Sequence, residues 1–186
     1  MSLALPVFVA VAVGLLLGGR LPGLAEIRLR AWPLFLAALG VQVVAFPFGF
    51  LPWRVDATVA TVLWLVSYGL LVVAAILNRR IVGVPVIALG MGANVVAIVA
   101  NGGSMPVLPQ AMRDAGADYV TRANSTANAE PRLTWLVDRW AAPDWIPFAN
   151  VFSVGDVAIA VGAMVVVLAA MGVPQFPRKA ATAAGS

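Results

Sequence analysis

Five apolar runs, at residues 3–19, 32–50, 57–77, 81–100 and 149–172, leave this chain few ways to fold. Each is about 17–24 residues long, the length that ~30 Å of hydrocarbon demands of a helix rising 1.5 Å per residue. Hydrophobic residues make up 62 % of the chain and charged ones 11 %, where a soluble domain holds about 45–50 % and about 25 %. A core of 186 residues cannot bury that surplus, so part of it must face lipid. The expectation is an all-α integral membrane protein with five transmembrane helices in one domain (1–173), followed by a disordered cytoplasmic tail (174–186).

Orientation follows from the short loops. Arg20, Arg28 and Arg30 follow the first run, Arg79 and Arg80 the third, and Arg178 and Lys179 the fifth, whereas Arg54 stands alone in the second loop. With five spans the three basic groups share one side, which the positive-inside rule makes cytoplasmic. The N-terminus is then outside, the C-terminus inside, and the polar stretch 101–148 is an outer loop. No basic residue precedes the first run and no small-residue cleavage site precedes a soluble domain, so that run reads as a retained helix. Trp32 and Trp53 mark the interfaces of the second run, and Trp64 reads as packing between helices.

The first half of the outer loop, PQAMRDAGADYVTRANSTANAE, is polar and poor in core formers, and reads as a mobile excursion with at most one weak helical turn. In PRLTWLVDRW, Pro131 suits a first helical position, and Leu133, Leu136, Val137 and Trp140 follow an i, i+3, i+4, i+7 pattern. That pattern predicts a short amphipathic helix in the outer headgroup region, holding Asp138 near the membrane surface.

Cysteine and histidine are both absent, which excludes disulfides, thiolate or histidine metal sites, cysteine nucleophiles and histidine-based triads. No cofactor or metal is expected. The net charge of +4 comes from residues set between apolar runs, so lipid, and not nucleic acid, is the expected partner. Chemistry would have to rest on a few polar groups. In SVGD at 153–156, Ser153 and Asp156 have the spacing of a capping box at the start of the last span, yet Asp156 is also the one acid within an apolar run. Gln42, Ser67 and Tyr68 read as interhelical hydrogen-bonding groups. Gly90, Gly92 and Ala93 would let another backbone approach the fourth span. Asn101, Gly102 and Gly103 read as the cap of that span, with glycine N–H groups aimed at an anion or carbonyl as the alternative.

These motifs resemble an uncharacterised bacterial membrane-protein family that combines NGGSMPV-like (101–107), Leu-x-Asp (Leu136, Asp138) and Ser-x-Gly-Asp (Ser153, Asp156) patterns. That resemblance covers most of the chain, implies a bacterial cytoplasmic membrane and carries no activity. A second resemblance, over the last part, is to the lipoprotein signal peptidases, which are intramembrane aspartic proteases. Gly92-Ala93-Asn94, Val137-Asp138 and Asn150 with Gly155-Asp156 can be laid against that family's motifs, and SVGD is similar to the Gly-x-Gly-Asp of presenilin-type proteases. The Asp-Arg after that family's asparagine is missing here, and the long loop and fifth span are extra.

Two functional readings result. One is an accessory or scaffold subunit of a membrane complex, with other membrane-protein subunits as partners. The other is an intramembrane aspartyl hydrolase at the outer interface, in which Asp138 and Asp156 form the catalytic pair while Asn94, Asn101, Gly102, Gly103 and Ser153 bind or orient substrate.

Overall fold

The computed structural model describes residues 4–45, 55–115, 125–143 and 151–176. The fold is mostly helical, with a few short strands. Its elements are α1 (Ala4–Leu16), α2 (Pro22–Ala25), α3 (Pro33–Ala45), α4 (Ala57–Leu77), α5 (Val84–Ala100), β1 (Met105–Val107), α6 (Pro109–Asp114), β2 (Ser125–Ala127), β3 (Trp140–Ala141), β4 (Val151–Phe152) and α7 (Val154–Ala170). Among the described residues, one stretch, Thr58–Leu77 of α4, is long and apolar enough to cross a membrane; α1, α3, α5 and α7 are shorter apolar helices.

The helices stop short of their apolar runs for local reasons. α5 begins at Val84, since Gly83 has a φ of 95° and Pro85 sits in the first turn. α7 begins at Val154, since Val151 and Phe152 are spent in β4 and Ser153 is the N-cap. α4 is capped by Asp56, whose carboxylate accepts from the Thr58 and Val59 N–H groups at 2.8 and 3.4 Å. Trp53, Arg54, Asn150, Arg178, Lys179 and the tail from 177 lie outside the described residues, as do 116–124 and 144–150 of the segment between α5 and α7.

α3 and α4 form an antiparallel pair. Gln42 donates to Ser67 at 3.1 Å, as expected for polar groups in apolar runs, and Asn78 holds the Arg30 backbone from both sides at 2.8 and 2.9 Å. Tyr68 instead turns to α5 and packs on Trp64, with ring centroids 4.1 Å apart. α5 and α7 form the closest pair, also antiparallel. Gly90 faces the backbone of Gly155, and Gly83, seven residues earlier, faces that of Gly162, seven residues later. Gly92, by contrast, has open space around its α-carbon, so it does not serve the close approach that ALGMGAN suggested. α1 lies beside α7 and runs the same way: Ala10 packs with Val167 and Leu168, and Arg20 N–H donates to Met171 C=O at 2.8 Å.

The segment 131–140 is not the predicted amphipathic helix. Residues 132–136 form turns, Leu133 has a φ of 54°, and Trp140 enters β3, antiparallel to β4. Long-range backbone pairing overrides the local period. β1 lies between β2, its parallel partner, and Asp138, which forms a parallel bridge to Val107. Nor is the first half of the loop all solvated: α6 buries Ala111 against Val107 and Val151.

Candidate carboxylate site

Three elements bring the polar groups together. Asn94 lies on α5 six residues before its end, on the face turned to α7. Its amide donates to Asp156 Oδ1 at 3.1 Å, and its carbonyl accepts from the Ser153 hydroxyl at 2.9 Å. Ser153 and Asp156 complete the capping box: the Asp156 N–H donates to Ser153 Oγ at 3.1 Å and the Ser153 N–H to Asp156 Oδ2 at 3.2 Å. Both Asp156 oxygens therefore accept from N–H donors, and Asn94 ties the cap of α7 to α5. Such a tie is possible because Gly155 has no side chain; a β-carbon there would collide with Asn94 Oδ1 and Gly90 O.

Asp138 reaches the site from the loop between α5 and α7. Its backbone is fixed on both sides, its N–H donating to Pro106 C=O at 3.0 Å and its C=O accepting from Leu108 N–H at 2.9 Å. Its neighbour Val137 is fully buried, and Asp138 itself is only 7 % exposed. Oδ1 of Asp138 is buried with no hydrogen-bond partner among the described residues. Burial pushes this carboxyl up from an ordinary value of 3.8 to about 7, and the nearby negative charge of Asp156 pushes the same way. An orphaned polar atom of this kind costs about 1–3 kcal/mol, more if charged.

Asn101, Gly102 and Gly103 take the capping side of their two readings. Asn101 caps α5, donating to Ala97 C=O at 2.7 Å and Arg132 C=O at 2.9 Å while accepting from Arg132 N–H at 2.8 Å. Gly102 and Gly103 have φ of 78° and 97°, and the Gly103 N–H is spent on Ile98 C=O at 2.9 Å. Asn101 is seven residues beyond Asn94, ~10 Å along the helix, so it stands away from the Asn94–Ser153–Asp156 cluster. Asn101→Ala is expected to lower the unfolding temperature by several degrees, from ~1–2 kcal/mol of lost hydrogen bonding. Faster tryptic cleavage after Arg132 would accompany it, and unchanged digestion would show that the clamp does not hold that turn.

A family model described as "Family of unknown function (DUF5317)" matches residues 26–168. The chain belongs to this DUF5317 family. The matched region runs from before α3 to within α7 and contains Asn94, Asn101, Asp138, Ser153 and Asp156. No curated protein and no solved structure matches the chain. Among the described residues of this DUF5317 protein, no group of three or more His, Cys, Asp or Glu side chains is placed to hold a metal ion. Sequence reasoning named Asp138, Asp156, Asn94 and Ser153 as candidates and Gly90 as a close-approach position, but not Gly83, Gly155 and Gly162, which complete the α5–α7 contact. Their signal was the equal seven-residue spacing of Gly83 to Gly90 and Gly155 to Gly162.

Proposed function

We propose that this DUF5317 protein spans the bacterial cytoplasmic membrane five times and hydrolyses a membrane-tethered peptide at its outer face, using Asp138 and Asp156. Two features support the membrane reading. α1, α4 and α7 run one way and α3 and α5 the other, so Arg20, Arg30 and Arg79 collect at one end. Leu36, Leu89 and Val99 stand more than half exposed on the helices, a surface that lipid would cover. The arginine-rich end would be cytoplasmic, which leaves the carboxylates outside.

The single observation that carries the hydrolytic reading is the buried carboxyl of Asp138, whose Oδ1 has no hydrogen-bond partner among the described residues, within electrostatic reach of Asp156. An aspartic hydrolase needs two nearby carboxyls in different protonation states. Here Asp138 would be the protonated partner, donating to the scissile carbonyl oxygen. Asp156, accepting from Asn94 and from the Ser153 N–H, would hold the orientation of a carboxylate that takes a proton from water. The attacking water adds to the carbonyl carbon, the C–N bond breaks, and the amine leaves with a proton returned by the pair.

The test is cleavage of single-span peptides with extracytoplasmic extensions by the purified chain in nanodiscs. Asp138→Asn and Asp156→Asn should each cost at least ~100-fold in turnover. Equal turnover by either variant, or no cleavage by the parent chain across a broad peptide set, would overturn the reading.

Exposed aromatic residues of the outer loop favour a second reading, an accessory subunit of a membrane complex. Trp135 is 61 % exposed, and Trp140, with the Arg139 guanidinium 5.2 Å from its ring centroid, is 42 % exposed. Recovery of the same partner subunits through several mild detergents, lost on Trp135→Ala, would support it.

A further inference from the structure

Asp138 and Asp156 reach the site from the loop and from α7, and Asn94 from α5. The remaining neighbour is α4, and it presents a phenol. We propose that Tyr68 is the third protic group of the site, a positioning residue whose hydroxyl hydrogen-bonds to the protonated Asp138 carboxyl. The inference rests on that pair being a working site.

The placement comes from packing. Ser67 and Tyr68 are ~100° apart around α4, so when Ser67 is committed to Gln42 of α3, Tyr68 is turned toward α5. There it joins a cluster of Trp64, Ala97, Ile98 and Met105, together with Leu136. Ile98 is one turn beyond Asn94 on α5, so the face that meets Tyr68 adjoins the group that holds Asp156. Leu136, in the same cluster, is two residues before Asp138 in the loop. Trp64, 5 % exposed and tilted at 37° to the phenol ring, fixes that ring from behind.

The chemistry is complementary. Asp138 Oδ1 is buried without a donor, and a phenol is a donor that needs no counter-charge and accepts an apolar surround around its ring. A tyrosine in this position can hold the orientation of one carboxyl while the other exchanges its proton with water. It needs no redox partner and no metal.

Tyr68→Phe keeps the ring and its stacking and removes only the hydroxyl. In the purified full chain, the protonated carboxyl stretch of Asp138 is identified by infrared difference against Asp138→Asn. Tyr68→Phe should shift that band while leaving the thermal unfolding cooperative, and should cut peptide turnover about tenfold or more. An unmoved band in a folded Tyr68→Phe chain overturns the proposal. Should that variant fail to fold, fluorotyrosine at position 68 keeps ring and hydroxyl but donates more strongly, and again a stationary band overturns it. The two readings fail separately. A band that moves in a chain that cleaves no peptide retains the Tyr68 contact and ends the hydrolase. Cleavage that needs Asp138 but is indifferent to Tyr68→Phe does the reverse.

Discussion

Asp138→Asn is expected to stabilise the folded protein at pH 8, although the same change should abolish any hydrolysis. The carboxyl lies at about 7 in the folded chain against an ordinary 3.8. Between those values the folded state therefore holds more proton than the unfolded one. Stability contributed by the neutral, buried acid is full below about pH 4, declines as the pH rises toward 7, and stays at its lower level above that. Three pH units of difference correspond to roughly 4 kcal/mol at most. Asparagine has nearly the same shape, carries no charge and does not titrate here. The parent chain should lose unfolding temperature in detergent between pH 4 and pH 7, and the Asp138→Asn variant should lose much less, so that the two curves cross toward pH 8. Asp156→Asn should behave in the opposite way, losing the capping box and weakening the tie to Asn94, with lower stability at every neutral pH by ~1–2 kcal/mol. If Asp138→Asn is instead destabilising at pH 8, the carboxylate has a partner that offsets its burial, and its role is structural.

The parts of this fold that the sequence made legible are those whose cause is local. Ser153 and Asp156 announce a helix start because the reciprocal bonds of a capping box need only three residues of spacing, and both bonds are present. Gln42 and Ser67 announce a pairing because a polar group in an apolar run must find a partner, and they found each other. The interfacial helix failed for the converse reason. Leu133, Leu136, Val137 and Trp140 have helical spacing, but Leu133 and Trp140 are exposed while Val137 and Asp138 are buried. That distribution follows from the backbone pairing of Asp138 with Pro106 and Leu108, about thirty residues earlier, which no local window contains. The burial of Asp138, and with it the property that makes the site chemically interesting, is a consequence of the same pairing. It was therefore legible as a candidate carboxylate and illegible as a buried one.

Gly155→Val is expected to be the most damaging single substitution in the helical core. A β-carbon at Gly155 would overlap Asn94 Oδ1 and the Gly90 carbonyl, and both are held, the first by Ser153 and the second by the α5 backbone. Neither can move aside like the end of a flexible side chain, so α7 itself must back away from α5. Overpacking of this kind costs ~1–3 kcal/mol, and the loss of the Asn94 bonds to Asp156 and Ser153 adds ~1–3 kcal/mol for each buried group left unpaired. The variant should unfold well below the parent chain in detergent, and any hydrolysis should vanish with it. Gly92→Ala is the matched control, since its β-carbon meets nothing within 4 Å. Alanine there gains up to ~1 kcal/mol in helix propensity and should leave the protein as stable as before or more so. The contrast separates two meanings of glycine in these helices: Gly155 on α7 is required by the Asn94 and Gly90 atoms that face it, and Gly92 on α5 is required by no neighbour within 4 Å. Equal losses from the two substitutions would mean that α5 and α7 are not joined through Gly90 and Gly155, and the support for Asn94 and Asp156 as one unit would go with that contact.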